Sequence, residues 1–164
     1  MSEVKYFTYL WTNAAWKRKT ELAREGFGAI EYAASKKFSS AGVEPGSVVF
    51  LVTNIKGSLF LGGTVEVHQI LNHRDAAAYL KIRPADLWSA KEFIVAPHGR
   101  EDYFRGDLKV DDRIAHGLKY RKRSGGFQHP KLDREGKIDR QTLRNVRCLY
   151  PGAEQPLLEL LSLR

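Results

Sequence analysis

The stretch GVEPGSVVFLVTNIKGSLFLGGTVEVHQIL, residues 42–71, decides the fold, because apolar runs alternate in it with turn signals. The turn signals are Pro45-Gly46, the segment 54–57 and Gly62-Gly63. The runs between them, at 47–53, 58–61 and 64–71, are rich in β-branched and aromatic residues, which favour strands. Because the connections are short, we predict three consecutive strands in an antiparallel meander.

The faces of these strands indicate how the sheet is shaped. Residues 48–52 (VVFLV) are apolar at every position, so both faces of the first strand are apolar. Such a strand is buried on both sides of a sheet or lies inside a closed barrel. The glycine pair at 62–63 is typical of a β-bulge or a sharp bend, which lets a small sheet curl.

The other segments alternate between short strands and helices. A strand is predicted over 4–12, followed by a helix over 14–25 with Asn13 as its N-cap. Further predicted elements are strands at 27–32 and 93–96, a helical region at 72–92 that is broken before Pro84, and a helix at 155–163. The segment 97–137 is predicted as a polar loop insert, with a strand around Leu118 and Tyr120 inside it. The sum is one α+β domain over 1–164, a small, curved, mostly antiparallel β-barrel with peripheral helices.

The composition is that of a globular protein. Of 164 residues, 43% are hydrophobic and 28% are charged, and this length supports a single core. The single cysteine, Cys148, forms neither an internal disulfide nor a Cys-rich zinc site. We find no secretory leader and no apolar run near roughly 18 residues, so we expect a cytoplasmic protein without a membrane partner.

The net charge of +8 favours polyanionic partners, nucleic acid first. A local peak lies at LKYRKR, residues 118–123, where Tyr120 stands among cations as in a phosphate-tracking edge. Arg140, Arg144 and Arg147 recur at spacings that would place them on one face of a helix. These patterns predict DNA or RNA as the partner and do not choose between the two.

The stretch 42–71 is similar to the central portion of PUA-like domains, in particular the EVE branch. The strand that ends in Tyr9, Leu10, Trp11, Thr12 and Asn13 fits the same place in that pattern, and the resemblance covers residues 4–71. It implies a pseudobarrel related to the YTH, ASCH and SRA groups. It also implies a reader of nucleic acid, often of modified bases, that is frequently associated with restriction systems in bacteria.

A pocket that reads a base needs aromatic walls, a polar group on the base edge and cations on the phosphates. The segment YLWTNAAWKRK, residues 9–19, contains all three. The predicted base-binding pocket consists of Trp11, Thr12, Asn13, Trp16, Phe38, Ser39 and Trp88, with Ser40 at the same mouth. The predicted phosphate contacts are Lys17, Arg18, Lys19, Lys119, Arg121, Lys122 and Arg123. The expected function is nucleic-acid binding, including recognition of a modified or flipped base.

Other interpretations stay open. The tryptophans fit core positions as well, and Asn13 fits an N-cap as well as a base reader. Pro84-Ala85-Asp86 with Asp107-Leu108-Lys109 resembles a PD-(D/E)xK nuclease pattern, in which two carboxylates hold Mg²⁺ and a lysine faces the phosphate. A protein- or small-ligand-binding domain is the third possibility. The preferred interpretation assigns no catalytic residue, metal ligand or cofactor.

Overall fold

A computed structural model describes residues 3–164, and within this range the chain forms eleven strands and five α-helices. The strands are β1 (Tyr6–Leu10), β2 (Ala29–Ile30), β3 (Tyr32–Ser35), β4 (Val48–Ile55), β5 (Ser58–Glu66), β6 (Gln69–Leu71), β7 (Glu92–Val95), β8 (Asp102–Tyr103), β9 (Tyr120–Arg121), β10 (Phe127–Gln128) and β11 (Val146–Cys148). The helices are α1 (Asn13–Arg24), α2 (Phe38–Ala41), α3 (His73–Leu80), α4 (Asp112–His116) and α5 (Gln155–Ser162), with 3₁₀ helices at Pro84–Asp86 and Arg140–Leu143.

The central sheet has the strand order β11-β1-β4-β5. Strand β1 runs parallel to β4, whereas the β1–β11 and β4–β5 pairs are antiparallel. The face that carries Phe7 and Leu51 packs against Trp16 of α1. The opposite face, which carries Phe50, packs against Leu157 of α5. Strand β4 is therefore covered on both sides, as its continuous apolar run predicts.

The predicted bulge is confirmed at the glycine pair. The β4–β5 register changes from Leu51 opposite Gly63 to Val52 opposite Leu61, so Gly62 is the extra residue. A Cβ at Gly62 would lie 2.5 Å from the Phe104 ring and 2.7 Å from the Trp16 ring. Glycine is needed here because two aromatic rings pack directly onto the strand backbone.

The predicted three-strand meander is only partly correct. Strands β4 and β5 form the expected hairpin, and β5 continues through the glycine pair instead of ending there. Strand β6, however, joins a separate sheet of order β3-β7-β6. The chain changes sheets at His68, whose N–H donates to the Val95 carbonyl of β7. The two residues between β5 and β6 are enough for the chain to change its pairing partner, because the edge of β7 that does not face β3 is available to β6.

The α+β class and the predominance of antiparallel pairing agree with the prediction. A closed barrel is not found: the paired strands of residues 3–164 form a four-stranded, a three-stranded and two two-stranded sheets. The longest described helix has 12 residues, and none in this range has the length and apolarity that a bilayer crossing requires.

The segment 97–137 is more structured than the predicted polar loop. It contains β8, α4, β9 and β10. Its buried side chains include Phe104, Val110, Leu118 and Tyr120, which join the two large cores. These apolar residues stand singly among polar ones, so no run of sequence marks them as core.

Candidate nucleic-acid interface

A groove of about 650 Å³ opens between α2, the β9–β10 hairpin and the chain from 131 to 147. We call it the basic groove. Its lining residues are Lys37, Ser40, Ala41, Arg123, Gln128, Lys131, Asp139, Gln141, Thr142, Arg144, Asn145, Val146 and Arg147. Five of them are lysine or arginine and one is an acid, so the groove is strongly positive.

Arg147 is the most firmly held of these cations. It pairs in register with Thr8 across the β1–β11 ladder, and its guanidinium lies 4.3 Å from the centroid of the Tyr120 ring. The fully buried Tyr120 hydroxyl is hydrogen-bonded to the Thr8 hydroxyl at 3.0 Å. Arg147 also donates to the Thr142 carbonyl. A stacked and hydrogen-bonded guanidinium is pre-organised, so less side-chain entropy is lost when it binds an anion.

The predicted helical stripe of arginines is wrong in its local structure. The 3₁₀ helix stops at Leu143, and Asn145 takes a left-handed conformation (φ 63°) before β11 begins. Arg144 and Arg147 nevertheless both line the basic groove. Arg140 instead donates hydrogen bonds to the Trp11 and Asn54 carbonyls, so it stabilises the β1–α1 corner.

One wall of the groove is the short helix α2. Its first residue, Phe38, is fully buried and packs edge-on against Tyr9 at 5.2 Å. This anchor places Lys37 and Ser40 at the groove. Ser40 therefore lines the basic groove and not the predicted aromatic pocket.

The opposite wall combines the hairpin and the segment that follows it. Arg123 stands at the hairpin turn and Gln128 lies on β10. The Lys131 N–H donates to the Thr142 hydroxyl at 3.2 Å, and the Asp139 N–H donates to the Lys131 carbonyl at 2.9 Å. These hydrogen bonds join Lys131, which follows the hairpin, to the segment 139–142 and so hold this wall together.

The positive charge of the groove is not neutralised from within. Among residues 3–164, none of its five cations forms an ion pair with a carboxylate. The one acid, Asp139, accepts the Gln141 N–H at 3.0 Å and so caps the 3₁₀ helix. Unpaired cations facing a shared concavity attract an anionic ligand.

The predicted aromatic pocket is not assembled. Trp16 is only 2% exposed and donates its indole N–H to the Gly106 carbonyl at 3.0 Å. Phe38 is fully buried, and the half-buried Trp11 stacks on Phe104 with 5.9 Å between ring centroids. The stacking role predicted for Trp16 and the place predicted for Phe38 at the mouth of the pocket are wrong in this structure, because protein atoms cover both rings and leave no face for a base.

The polar residues predicted for that pocket form hydrogen bonds within the protein. Thr12, and not Asn13, is the N-cap of α1, accepting the Ala15 N–H at 3.1 Å. The Asn13 side-chain oxygen accepts from Thr53 and Arg140. Ser39 is hydrogen-bonded to Glu92 through both its backbone and its hydroxyl.

Trp88 differs from the other predicted aromatics, because it is 67% exposed after the 3₁₀ helix Pro84–Asp86. It does not line the basic groove. Its contact with a base stays a prediction.

The predicted phosphate contacts divide into four groups. Arg123 lines the basic groove. Lys17, Arg18, Arg121 and Lys122 are exposed outside it. Lys19 is committed elsewhere: its ammonium donates to the Phe27 and Ala29 carbonyls, and burial lowers its pKa. Lys119 lies 4.6 Å over the Phe127 ring.

The two acids of the nuclease pattern have ordinary surface partners. Asp86 is paired with Arg83 at 2.7 Å. Asp107 is paired with Arg105 at 3.2 Å, and the hydrogen bond from Arg105 lowers the pKa of Asp107. Within residues 3–164, no group of three His, Cys, Asp or Glu side chains is arranged to hold a metal ion.

Sequence reasoning missed several groove residues. Lys37, Lys131, Gln128, Gln141 and Asn145 come from three separate parts of the chain. No local pattern joins them. The sequence signals that do reach the groove are the basic run at 118–123, which contains Arg123, and the Arg144–Arg147 pair. No protein-family model matches the chain, and no curated protein is significantly similar to it in sequence.

Proposed function

We propose that the protein binds nucleic acid, with the sugar-phosphate backbone lying in the basic groove. The observation that carries this proposal is the set of five groove cations that face a single acid and make no ion pair within residues 3–164. Phosphates supply the matching charge at regular spacing.

The groove supports more than a diffuse attraction. Arg147 presents a guanidinium held by Tyr120 and Thr142, and such a fork forms two hydrogen bonds to one phosphate. The amide side chains of Gln128, Gln141 and Asn145 offer donors and acceptors for base edges or sugar hydroxyls. Base reading by Trp16 and Phe38 is not part of this proposal, since both rings are buried.

Titration of labelled oligonucleotides at several salt concentrations tests the proposal. We expect affinity to fall linearly with salt on logarithmic axes. Arg144→Ala and Arg123→Ala should each weaken binding about fivefold and reduce the salt slope by about one. The matched control is Arg74→Ala, an exposed cation on α3 that does not line the groove.

Two results would overturn the proposal. One is the absence of any salt-sensitive association with duplex or single-stranded oligonucleotides. The other is an equal loss of affinity for Arg144→Ala and Arg74→Ala, because the attraction would then be a property of the whole surface and not of the groove.

A further inference from the structure

The outer face of the β9–β10 hairpin carries an exposed aromatic cluster. Phe127 is 41% exposed and Tyr150 is 36% exposed, and their ring centroids are 5.3 Å apart. The His129 ring lies 5.4 Å from Phe127. We call these three residues the hairpin platform. Neither Phe127 nor Tyr150 belongs to the two large cores.

The platform is held in place by the fold. The Tyr150 N–H donates to the Lys119 carbonyl, and Tyr120 bridges to Leu149, so the hairpin extends the edge of the central sheet beyond β11. The His129 ring is hydrogen-bonded to the Leu118 carbonyl through Nδ1 at 3.0 Å. The rings therefore stand on an anchored strand and not on a free loop.

The platform and the basic groove lie on opposite faces of the same hairpin. Gln128, which lines the groove, pairs with the buried Tyr120, whereas its neighbour Phe127 pairs with the exposed Arg121. Successive residues of a strand point to opposite faces. Because β10 is an edge strand of this two-stranded sheet, a polynucleotide that leaves the groove across β10 passes directly over Phe127.

The surrounding charge indicates what covers the platform. Residues 117–131 contain five Lys or Arg and no Asp or Glu. The Lys119 ammonium lies 4.6 Å from the Phe127 ring centroid. Aromatic rings interleaved with cations suit bases whose phosphates pass beside them, while an apolar protein partner would have to leave these charges unpaired.

We propose that the hairpin platform is a base-stacking subsite for single-stranded nucleic acid whose backbone continues into the basic groove. This inference rests on the proposed function and adds the strandedness of the ligand. Unpaired bases can leave their own stack and lie on Phe127 and Tyr150, whereas duplex bases are already stacked on each other.

The test compares three oligonucleotides of equal length on the unmodified protein: a single strand, the same strand with abasic sites throughout, and a duplex. The abasic strand keeps the phosphates and removes the stacking. We expect the ordinary single strand to bind at least about fivefold more tightly than the abasic strand. Phe127→Ala should remove this preference, and Phe127→Trp should keep it. Phe27→Ala, which truncates a 66% exposed phenylalanine after α1, is the matched control.

The outcomes separate the two proposals. Equal binding of ordinary and abasic strands, still weakened by Arg144→Ala, would overturn the platform and leave the groove standing. Loss of all salt-sensitive binding would overturn both. The abasic comparison uses no variant, so equal binding overturns the platform even if Phe127→Ala disturbs the hairpin, which circular dichroism would reveal.

Discussion

Trp16 is the one buried residue of α1. It is followed by Lys17, Arg18 and Lys19, which resembles a binding rim. In the folded protein its indole packs on Gly62 and Phe104 and donates to the Gly106 carbonyl. Lys17 and Arg18 point elsewhere because successive helical residues lie about 100° apart, and Lys19 donates to the Phe27 and Ala29 carbonyls.

At this scale we predict that Trp16→Ala lowers the free energy of unfolding by about 3–5 kcal/mol, because it leaves a large cavity and an unpaired carbonyl. Trp16→Phe should lower the free energy of unfolding by less, since most of the ring volume remains. Urea denaturation measures both values. A Trp16→Ala protein of full stability that has lost oligonucleotide binding would contradict the buried placement and restore the stacking role.

The β4–β5 hairpin shows which features of a sheet a strand pattern in the sequence predicts and which it does not. Its composition predicts two strands and a bulge, because the alternation and the glycine pair lie in contiguous sequence. The departure of β6 to another sheet depends on β7, which arrives more than 20 residues later. Pairing partners of this kind are set by tertiary contacts and not by strand propensity.

At the scale of the element, we predict that Gly62→Ala lowers the free energy of unfolding by about 1–3 kcal/mol. The added methyl would overlap the Phe104 and Trp16 rings and overpack the site. In a double-mutant cycle with Phe104→Leu, the two changes should be less destabilising together than their sum, because the smaller side chain makes room. Additive effects would show that the clash is relieved by other movements.

At the scale of the whole molecule, the fully buried Tyr120 lies beneath the basic groove, with Arg147 over its ring. Burial raises the pKa of Tyr120, and the hydrogen bond with Thr8 only partly offsets this. Burial also raises the pKa of Tyr9. The folded protein therefore keeps these protons at a pH where the unfolded chain loses them.

We accordingly predict that stability is retained below the unfolded tyrosine pKa of about 10 and is lost as the pH rises beyond it. Thermal unfolding followed from about pH 9 to 11.5 measures this decline. Tyr120→Phe should make the alkaline loss of stability less steep. At neutral pH it should lower the free energy of unfolding by about 1 kcal/mol, because the hydrogen bond to Thr8 is lost. An identical decline in this variant would mean that other groups control the alkaline transition.

The features that the sequence alone determines are either local in the chain or sums over its composition. The apolar run of β4, the bulge at Gly62 and the excess of positive charge all follow from neighbouring residues or from the composition. The tertiary structure decides which cations meet. Lys37, Arg123 and Arg147 are far apart in sequence, and they share a groove only because α2, the hairpin and β11 pack beside one another. A binding surface is a sum over distant segments, so its charge and shape exist only after the chain has folded.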